Sequence, residues 1–414
     1  MSSLWTDRRF STYWAGQTVS QFGDRISELA LPLIAVATLQ ASPTEVGLLT
    51  AAIWTPSLIA LFIGAWVDHQ ARKRRLLIAA DLLRFAVLLS LPIAHVLGVV
   101  SLGQLYLVAL LTGIGQVLYQ TSYANFFVAL VRKDQYVEAN SMLSGSRSAS
   151  YIAGPAVGGF LIQALTAPVA VLVDALSFLV SAAMIGRVKT EERPVDTTGA
   201  LSLTSRAREG MRFVLKHPYL RASLGCATTI NFFNFVVNAL VILYASRHLH
   251  LSAGVIGLAF GIGATGSLVG ALVAGRLARA IGVGWTVAMG SIVFSLPYAL
   301  IPLAAGSTVT KAGVLALVEF LAGLGIMCFD INLNALQTAV TPDAMRSRVV
   351  GAFTTINYGI RPLGAVVGGV CGQFFGIGPT MIVAAIGGAL AFLWLLPSPI
   401  ITTAAIVDLE PLSV

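Results

Sequence analysis

Long apolar runs follow one another along nearly all of the 414-residue chain, and they limit its fold more than any other feature. Each run is close to the ~20 apolar residues that one span of a bilayer needs. Membrane strands would alternate every second residue over stretches of about ten, whereas these runs are continuous and longer, so helices are predicted. The twelve predicted spans are approximately 11–38, 44–66, 76–98, 102–129, 142–165, 167–187, 220–246, 252–275, 283–305, 311–338, 349–373 and 376–398.

The composition excludes an ordinary water-soluble protein. Apolar residues form 57% of the chain and charged residues only 11%, against about 25% charged residues in soluble domains. Cys226, Cys328 and Cys371 lie inside apolar runs without paired or metal-type spacing, so we expect no disulfide framework, metal or cofactor. The start, MSSLWTDRRF, lacks signal-peptide features, and the first apolar run is expected to remain as a span.

The basic residues predict the orientation of the helices. If the N-terminus is cytoplasmic, twenty of the 26 Lys and Arg residues lie in cytoplasmic connections, and only Arg247 and Lys311 lie in outer ones. This positive-inside pattern predicts a multi-pass protein of the cell membrane with both termini cytoplasmic. The net charge of +8 is therefore attributed to topology, with membrane lipids and not nucleic acid as the expected contact.

The two halves of the sequence resemble each other. Residues 60–68 match 271–279 and residues 154–159 match 364–369, at offsets of 211 and 210. Near-constant offsets predict duplicated six-helix bodies, an architecture found in secondary transporters. We expect an N-terminal bundle over 1–187, a cytoplasmic linker over 188–219 and a C-terminal bundle over 220–414.

Residues 202–216 of this linker have the pattern of an amphipathic helix. Such a helix would turn Leu203, Met211, Phe213 and Val214 toward the membrane, and its arginines at 206, 208 and 212 toward water or headgroups. A solvated connector explains the same residues equally well.

Two motifs carry a resemblance to a known family. Between spans two and three, the residues from Gly64 to Lys73 (GAWVDHQARK) are similar to the loop signature G-x-x-x-D-R-x-G-R-K, with His69 and Ala71 as departures. In span five, residues 150–159 (SYIAGPAVGG) resemble the exporter motif G-x-x-x-G-P-x-x-G-G. Over essentially its whole length the chain resembles the major facilitator superfamily, in the branch of drug:proton antiporters that holds macrolide-efflux and enterobactin-export proteins.

The resemblance implies an all-α membrane protein with twelve transmembrane helices in two pseudo-symmetric six-helix bundles. It also implies that a loop formed by Gly64, Asp68, Arg72 and Lys73 acts as a gate, in which Asp68 caps a helix or pairs with a cation in one conformation only. A topology anchor is the alternative explanation of this loop. We favour the anchor for the basic residues and the gate for Asp68.

The exporter motif supplies Gly154, Pro155, Gly158 and Gly159. Three small residues on one helix let another helix approach closely, and the proline permits a bend. By resemblance this helix seals the bundle against leakage while the bundle rocks. Static packing would explain the same residues.

Ionisable residues inside the spans are the main functional candidates, because each costs at least ~2.5–3.5 kcal/mol at the bilayer centre on insertion scales. In span one, Asp24 and Glu28 share a helix face, and Arg25 can pair with Glu28. One carboxylate then stays free to bind a proton or a cationic substrate, unless all three residues form a structural ion triad. We rank Asp24 and Glu28 first for proton coupling and Glu319 second.

Other spans add further charged candidates. Glu319 and Asp330 share a face of span ten, and Asp330 and Arg361 lie at similar depth, so that they can pair. Asp81 and Arg84 are expected to form a local salt bridge near the cytoplasmic end of span three. Two more candidates are Arg147 and Asp174. The family's antiporters often carry an arginine in span four, but residues 104–130 contain none, so proton antiport is an implication of the resemblance with no specific relay.

Amide side chains also recur at helical spacing. Asn231, Asn234 and Asn238 share a face of span seven, and Gln116 and Gln120 share a face of span four. Amides are disfavoured against lipid, so we expect them to face a cavity or another helix. Such groups suit a polyfunctional organic substrate better than an inorganic ion.

Competing functions remain open at this point. An intramembrane enzyme would need a nucleophile–base or metal constellation, but the five histidines fall at span ends or in loops, and no H-E-x-x-H or phosphate-binding loop occurs. A channel is disfavoured because no selectivity loop is visible in the sequence. An importer, a lipid flippase and a non-transporting receptor remain as alternatives. We predict a monomeric, non-enzymatic exporter of a small, largely hydrophobic organic compound such as a drug, macrolide or siderophore, working by alternating access against protons.

Overall fold

The computed structural model describes residues 4, 7–70, 72–188 and 203–405, and these residues form helices joined by short turns. The first half contains α1 (Arg8–Leu33), α2 (Pro43–Trp54), α3 (Ala60–Asp68), α4 (Lys73–Val96), α5 (Leu102–Leu130), α6 (Tyr136–Leu165) and α7 (Ala167–Arg187). The second half contains α8 (Leu203–Lys216), α9 (Pro218–Arg247), α10 (Ala253–Ile281), α11 (Val283–Ser295), α12 (Thr308–Val340), α13 (Arg346–Phe375) and α14 (Ile377–Ala389). No strand occurs in these described ranges, and the predicted all-α fold class is confirmed.

Each predicted span lies on helical residues except for a few turn residues at some of the span ends. Nine helices in the described part of the chain are long and apolar enough to cross a membrane. The first span is not among them: α1 carries five charged residues, three of which, at 24, 25 and 28, lie within the predicted span, and it continues into a short π-helix, Ile34–Thr38. The second span is divided into α2 and α3 by the 3-10 helix Thr55–Ile59, which contains Pro56. Charged residues in the first span and a proline in the second thus interrupt the simple apolar pattern.

Side chains at the helix starts explain where several helices begin. Asp7 accepts hydrogen bonds from the backbone N–H groups of residues 9 and 10, at the start of α1. Before α2, the Ser42 N–H donates to Glu45 Oε2 at 2.6 Å and the Glu45 N–H donates to Ser42 Oγ at 3.3 Å, which is a capping box. At the starts of α5 and α12, the side chains of Ser101 and Ser307 each accept one hydrogen bond from a backbone N–H group of the first turn.

The described residues form two compact units. Unit 1 consists of the described residues of Met1–Glu45, Ala52–Gly199 and Ser252–Gly261, and unit 2 of those of Val46–Ala51, Ala200–Leu251 and Ile262–Val414. In unit 1, α7 packs on α1, α4 and α6. In unit 2, α9 packs on α13 and α14, and α11 packs on α12. The domain boundaries 1–187, 188–219 and 220–414 stay predictions, since linker residues 189–202 lie outside the described ranges.

The amphipathic helix of the linker exists as α8, but its expected membrane face was wrong. Val214 is fully buried, and with Met211 and Phe213 it joins a cluster formed by residues of α9, α13 and the end of α12. Gly210 lies directly against the Arg348 backbone, and Arg348 Nη1 donates to Glu209 Oε1 at 2.8 Å. The apolar face of α8 therefore packs on protein, because the start of α13 offers it an apolar surface. The side chains of Leu203 and Arg206 lie outside the described part.

The same backbone conformation occurs at two helix junctions 210 residues apart. Thr166, between α6 and α7, has φ 86° and ψ 153°, and Gly376, between α13 and α14, has φ 88° and ψ 147°. The separation equals the offset of the glycine-rich sequence match. This conformation is essentially restricted to glycine, so a β-branched residue at position 166 is strained by an amount of order 1–3 kcal/mol.

We expect Thr166→Gly to raise the free energy of unfolding by about 1 kcal/mol, because glycine adopts the conformation without strain. The reciprocal variant Gly376→Thr is expected to lower it by a similar amount. Both values can be measured by denaturant unfolding in detergent micelles. A Thr166→Gly protein that is less stable than the wild type would contradict the strain assigned to this junction.

Candidate transport site: polar clusters in the two units

Unit 1 contains a partly buried group of polar side chains from four helices, which we name the arginine cluster. Its members come from α1, α4, α5 and α7, and they are Asp24, Asp81, Arg84, Gln116 and Asp174. Arg84 lies at its centre, with only 4% of its side chain exposed, and Asp81 is completely buried. The cluster therefore places charged groups among protein atoms within unit 1.

Arg84 divides its hydrogen bonds unequally among its neighbours. Its Nη2 donates to Asp81 Oδ1 at 2.5 Å and its Nη1 donates to Gln116 Oε1 at 2.9 Å. Asp24 Oδ1 lies farther away, 3.9 Å from Nη1, and the Asp24 side chain is 27% exposed. The guanidinium also lies over the Phe178 ring, 4.0 Å from its centroid. Asp81 is thus the closer partner of Arg84, and Asp24 is a more distant and more accessible one.

Glycines make the room that this cluster needs. A Cβ on Gly115 of α5 would lie 2.7 Å from Arg84 Cγ. On α1, a Cβ on Gly23 would collide with Asp174 and Ser177 of α7, and one on Gly16 would lie 3.1 Å from Met184 Cβ. Gly16 and Gly23 are seven residues apart, two helical turns, so both face α7. Close approach of α1 and α7 therefore depends on missing side chains.

The second ion pair of α1 lies beside the exporter motif. Arg25 Nη1 donates to Glu28 Oε2 at 2.5 Å, which is the pairing that their spacing allows. The Arg25 guanidinium carbon lies 4.2 Å from the centroid of the Tyr151 ring of α6. A Cβ on Gly154 would lie 2.6 Å from Arg25 Cβ. The first motif glycine thus accommodates the side chain of Arg25.

The remaining motif residues contact two further segments of unit 1. A Cβ on Gly158 would lie 3.1 Å from the Ile26 backbone of α1. A Cβ on Gly159 would lie 3.0 Å from Gly257 Cα, in the first part of α10, and Gly257 in turn lies against the Pro155 carbonyl. α6 continues through Pro155 as one helix. Whether this packing acts as a moving seal stays a proposal.

Unit 2 contains a different polar group around Arg361 of α13. Arg361 Nε donates to Asn231 Oδ1 of α9 at 3.2 Å, and its guanidinium lies 4.1 Å from the centroid of the Tyr358 ring. One turn away, Thr228 Oγ1 donates to Asn357 Oδ1 at 3.2 Å. These contacts give the α9–α13 packing a polar and aromatic face.

Glu319 has a separate partner in unit 2. The Tyr298 hydroxyl donates to Glu319 Oε2 at 3.4 Å, and the Glu319 side chain leaves α12 against Gly263 of α10. Asp330 is partly buried farther along α12. The pairing of Asp330 with Arg361 stays a prediction.

Other predicted site residues are not joined to these clusters. Arg147 is exposed, and no acidic oxygen lies within 4 Å of it in the described residues. Gln120 and Asn238 are exposed, and Asn234 is partly buried. Of the amide positions, only Gln116 and Asn231 bond an arginine of the clusters in the part of the chain that the structure describes.

The predicted gating loop has its basic side chains at helix ends. Lys73 is buried and its Nζ donates to the Val67 carbonyl of α3, while Arg74 Nε donates to the Ile185 carbonyl of α7 at 3.0 Å. Cations near helix C-termini are favourable. Arg72 is exposed. A Cβ on Gly64 would have only the Thr121 methyl group within 4 Å among the described atoms. The Asp68 side chain lies outside the described part. The gating role of Asp68 is therefore a proposal.

The sequence interpretation missed three residues of these clusters: Arg84 as a shared cation, Tyr298 and Ser27. Depth along the helix was a usable signal for Arg84, which lies eleven residues inside α4 and far from the basic residues at its start. Tyr298 gave no such signal, because its partner Glu319 lies on another helix. In the described residues no group of three or more His, Cys, Asp and Glu side chains could hold a metal ion.

Comparison with known proteins identifies the class. The family model described as transmembrane secretion effector, MFS_3, matches residues 3–412. The chain is 22% identical over 378 residues to an uncharacterized MFS-type transporter, YfiS, of Bacillus subtilis (90% of this chain, 88% of the relative). It is 27% identical over 389 residues to the multidrug efflux pump Tap of Mycobacterium tuberculosis (88% and 87%), and 26% identical over 372 residues to the enterobactin exporter EntS of Citrobacter koseri (84% and 83%).

A solved structure has the same fold. The crystal structure of a mutant of the nucleoside transporter NupG superposes with a TM-score of 0.76 at 10% identity, covering 94% of this chain and 99% of the other. The matched family and these relatives are membrane transporters and not enzymes, and they define this multi-pass protein as a membrane transporter. The chain belongs to the transmembrane secretion effector family of the major facilitator superfamily.

Proposed function

We propose that the protein exports a small, largely hydrophobic organic compound, of the drug, macrolide or siderophore kind, by alternating access in exchange for protons. The names of its relatives Tap and EntS support export of this class of compound. The matched exporter motif on α6 supports the same direction. The proposal includes cytoplasmic termini in the cell membrane, following the basic residues, and a monomeric transporter.

The observation that carries the proposal is the unequal sharing of Arg84. Asp81 holds Arg84 at 2.5 Å, and Asp24 approaches the same guanidinium only to 3.9 Å. When Asp24 is ionised, Arg84 partly compensates its charge. When Asp24 takes up a proton, Arg84 still has Asp81 and Gln116, so no buried cation is left alone. Asp24 can therefore change its protonation state without disrupting the cluster, as a coupling residue must.

Glu28 and Glu319 have weaker claims to the coupling role in this conformation. Glu28 is already paired with Arg25 at 2.5 Å, and more than half of its side chain is exposed. Glu319 accepts a hydrogen bond from Tyr298 and has no basic nitrogen within 4 Å in the described part of the chain. Asp24 is thus the first coupling candidate, and Glu319 is the second.

Substrate contacts are available in each unit. In unit 1, Gln116 and Gln120 are exposed on one face of α5. In unit 2, Asn231, Arg361 and Tyr358 combine amide, cation and aromatic surface. Mixed hydrogen-bonding and aromatic groups suit an organic molecule with several polar substituents.

The Asp24→Asn variant tests this function in inverted membrane vesicles that carry an imposed pH gradient. Uptake of a macrolide and of a catecholate siderophore is measured for the wild type and the variant. We expect the pH gradient to accelerate wild-type uptake. The Asp24→Asn variant should take up substrate about 5- to 150-fold more slowly than the wild type under the same gradient, which is the usual range for coupling between two sites. The matched control is Asp134→Asn, at an exposed ion pair with Arg132, which should leave uptake unchanged. Gradient-independent uptake that Asp24→Asn does not alter would refute proton coupling.

A further inference from the structure

Asp174 of α7 is a buried carboxyl group that the ion pairs described above do not include. Only 1% of its surface is exposed. Ser27 Oγ of α1 donates to Asp174 Oδ2, and Ser177 Oγ, one turn along α7, donates to Oδ1 at 3.2 Å. Two hydroxyl groups are therefore its hydrogen-bond partners.

Asp174 has no cation of its own. No basic nitrogen lies within 4 Å of its carboxyl group in the described residues. Arg84 is held by Asp81, and Arg25 is held by Glu28. A carboxylate that is ionised, buried and unpaired is strongly unfavourable, and such groups take up a proton instead. The surroundings of Asp174 thus favour the neutral acid.

The charge balance of the surrounding cluster is a second observation. With Asp24, Asp81 and Asp174 near it, Arg84 is one cation among three carboxyl groups. One guanidinium compensates one carboxylate well and a second partly. The third group can be accommodated only as the neutral acid.

The position of Asp174 connects it to the proposed coupling residue. Its carboxyl group lies against the backbone of α1 at Gly23, which has no Cβ at that point and directly precedes Asp24. We infer that Asp174 is a proton-binding site of the transporter: in this conformation it is a neutral acid whose O–H is donated to the hydroxyl oxygen of Ser27 or Ser177, and it exchanges this proton with Asp24 during transport. This inference rests on the proposed function.

The exchange conserves atoms and charge. The O–H bond on the Asp174 carboxyl breaks and one forms on the Asp24 carboxylate, directly or through water, leaving Asp174 ionised and Asp24 neutral. The step becomes favourable in a conformation in which water reaches Asp174, because water stabilises the ionised carboxylate. Ser27 and Ser177 can donate to the carboxylate that remains.

The charged groups around Asp174 come from the three helices that pack on α7. α1 presents Asp24, with the Arg25–Glu28 pair beyond it. α4 presents Asp81 and Arg84. α6 carries Arg147, which is exposed, and Tyr151, which lies over Arg25. Among these, only Arg84 is a cation close enough to act on both Asp24 and Asp174.

Infrared difference spectroscopy of the full-length protein in membranes tests the site without substrate or pH gradient. The wild type should show the carbonyl stretch of a protonated carboxylic acid, and Asp174→Asn should abolish it. The matched control Asp134→Asn should retain the band. Ser177→Ala, which keeps the carboxyl group, should shift the band to higher frequency because the acid loses a hydrogen bond. A band that neither Asp174→Asn nor Ser177→Ala changes would overturn the assignment.

Transport measurements test the role of this proton. We expect Asp174→Asn to slow uptake driven by the pH gradient about tenfold or more, while exchange of labelled for unlabelled substrate without a gradient continues. Loss of the infrared band with undiminished gradient-driven uptake would overturn the coupling role. Failure of the proposed function gives a different result. Wild-type uptake would then be independent of the pH gradient, whereas the infrared band would still be present and would still depend on Asp174.

Discussion

Replacing Arg84 with glutamine is expected to destabilise the protein by about 3–5 kcal/mol, the usual effect of removing one partner of a buried ion pair. Asp81 is completely buried and has Arg84 as its one basic partner within 4 Å in the described residues. Without Arg84 it must remain as an unpaired buried charge or take up a proton. The free energy of unfolding in mixed detergent micelles measures the effect, and uptake into vesicles should fall with it.

The matched control is Arg132→Gln, because Arg132 forms an exposed pair with Asp134 at 2.9 Å. Such surface pairs contribute about 0–1 kcal/mol. The double variant Asp81→Asn with Arg84→Gln should recover part of the lost stability, since it leaves no buried charge in that pair. If Arg84→Gln is no more harmful than Arg132→Gln, the central role given to Arg84 is wrong.

Gly266→Leu is expected to destabilise unit 2 by about 3 kcal/mol or more, at the upper end of overpacking effects. A Cβ at Gly266 would lie 2.8 Å from Phe320 Cα and would collide with the Phe320 carbonyl, and backbone atoms cannot move aside as a flexible side chain can. Gly263 and Gly270 make similar contacts with α12, so α10 and α12 meet along a row of glycines. Glu319 directly precedes Phe320 in the chain, so the variant should also displace the Glu319 side chain and reduce uptake.

Gly313→Leu is the control for this prediction, because it makes the same substitution in α12 where no described atom lies within 4 Å of the Cβ position. It should change stability by no more than about 1 kcal/mol, and in the stabilising direction, since glycine is a poor helix former. Unfolding in mixed micelles compares the two proteins. Equal stability of the two variants would show that the α10–α12 contact is less tight than its geometry indicates.

The fourth span has no arginine of its own, but the structure brings one to it from a neighbouring helix. α5 contains none, but Gln116 of α5 accepts a hydrogen bond from Arg84 of α4 at 2.9 Å. Gly115, next to Gln116, leaves the space through which the Arg84 side chain passes. The cation thus reaches α5 from a neighbouring helix, and hydropathy along α5 alone gives no indication of it.

Local patterns identified the parts of this protein that depend on neighbouring residues in the chain. The helices follow from the apolar runs, and the Arg25–Glu28 and Asp81–Arg84 pairs follow from their spacing of three residues. The amphipathic pattern of α8 predicted a helix, but it gave the wrong partner for the apolar face, because hydropathy does not distinguish lipid from a protein surface.

By itself the sequence determined a helical membrane protein, its superfamily and which charged residues lie inside its spans. The tertiary structure alone decided that Arg84 lies closer to Asp81 than to Asp24. It also decided that Asp174 contacts two serine hydroxyls and no cation among the described residues, and that the Tyr298 hydroxyl donates to Glu319. The physical reason is the distance along the chain between the residues that interact. Helix formation and spacing along one helix depend on adjacent residues, whereas the partner of a buried charge depends on which helices touch, and here glycines such as Gly23 and Gly115 set those approaches.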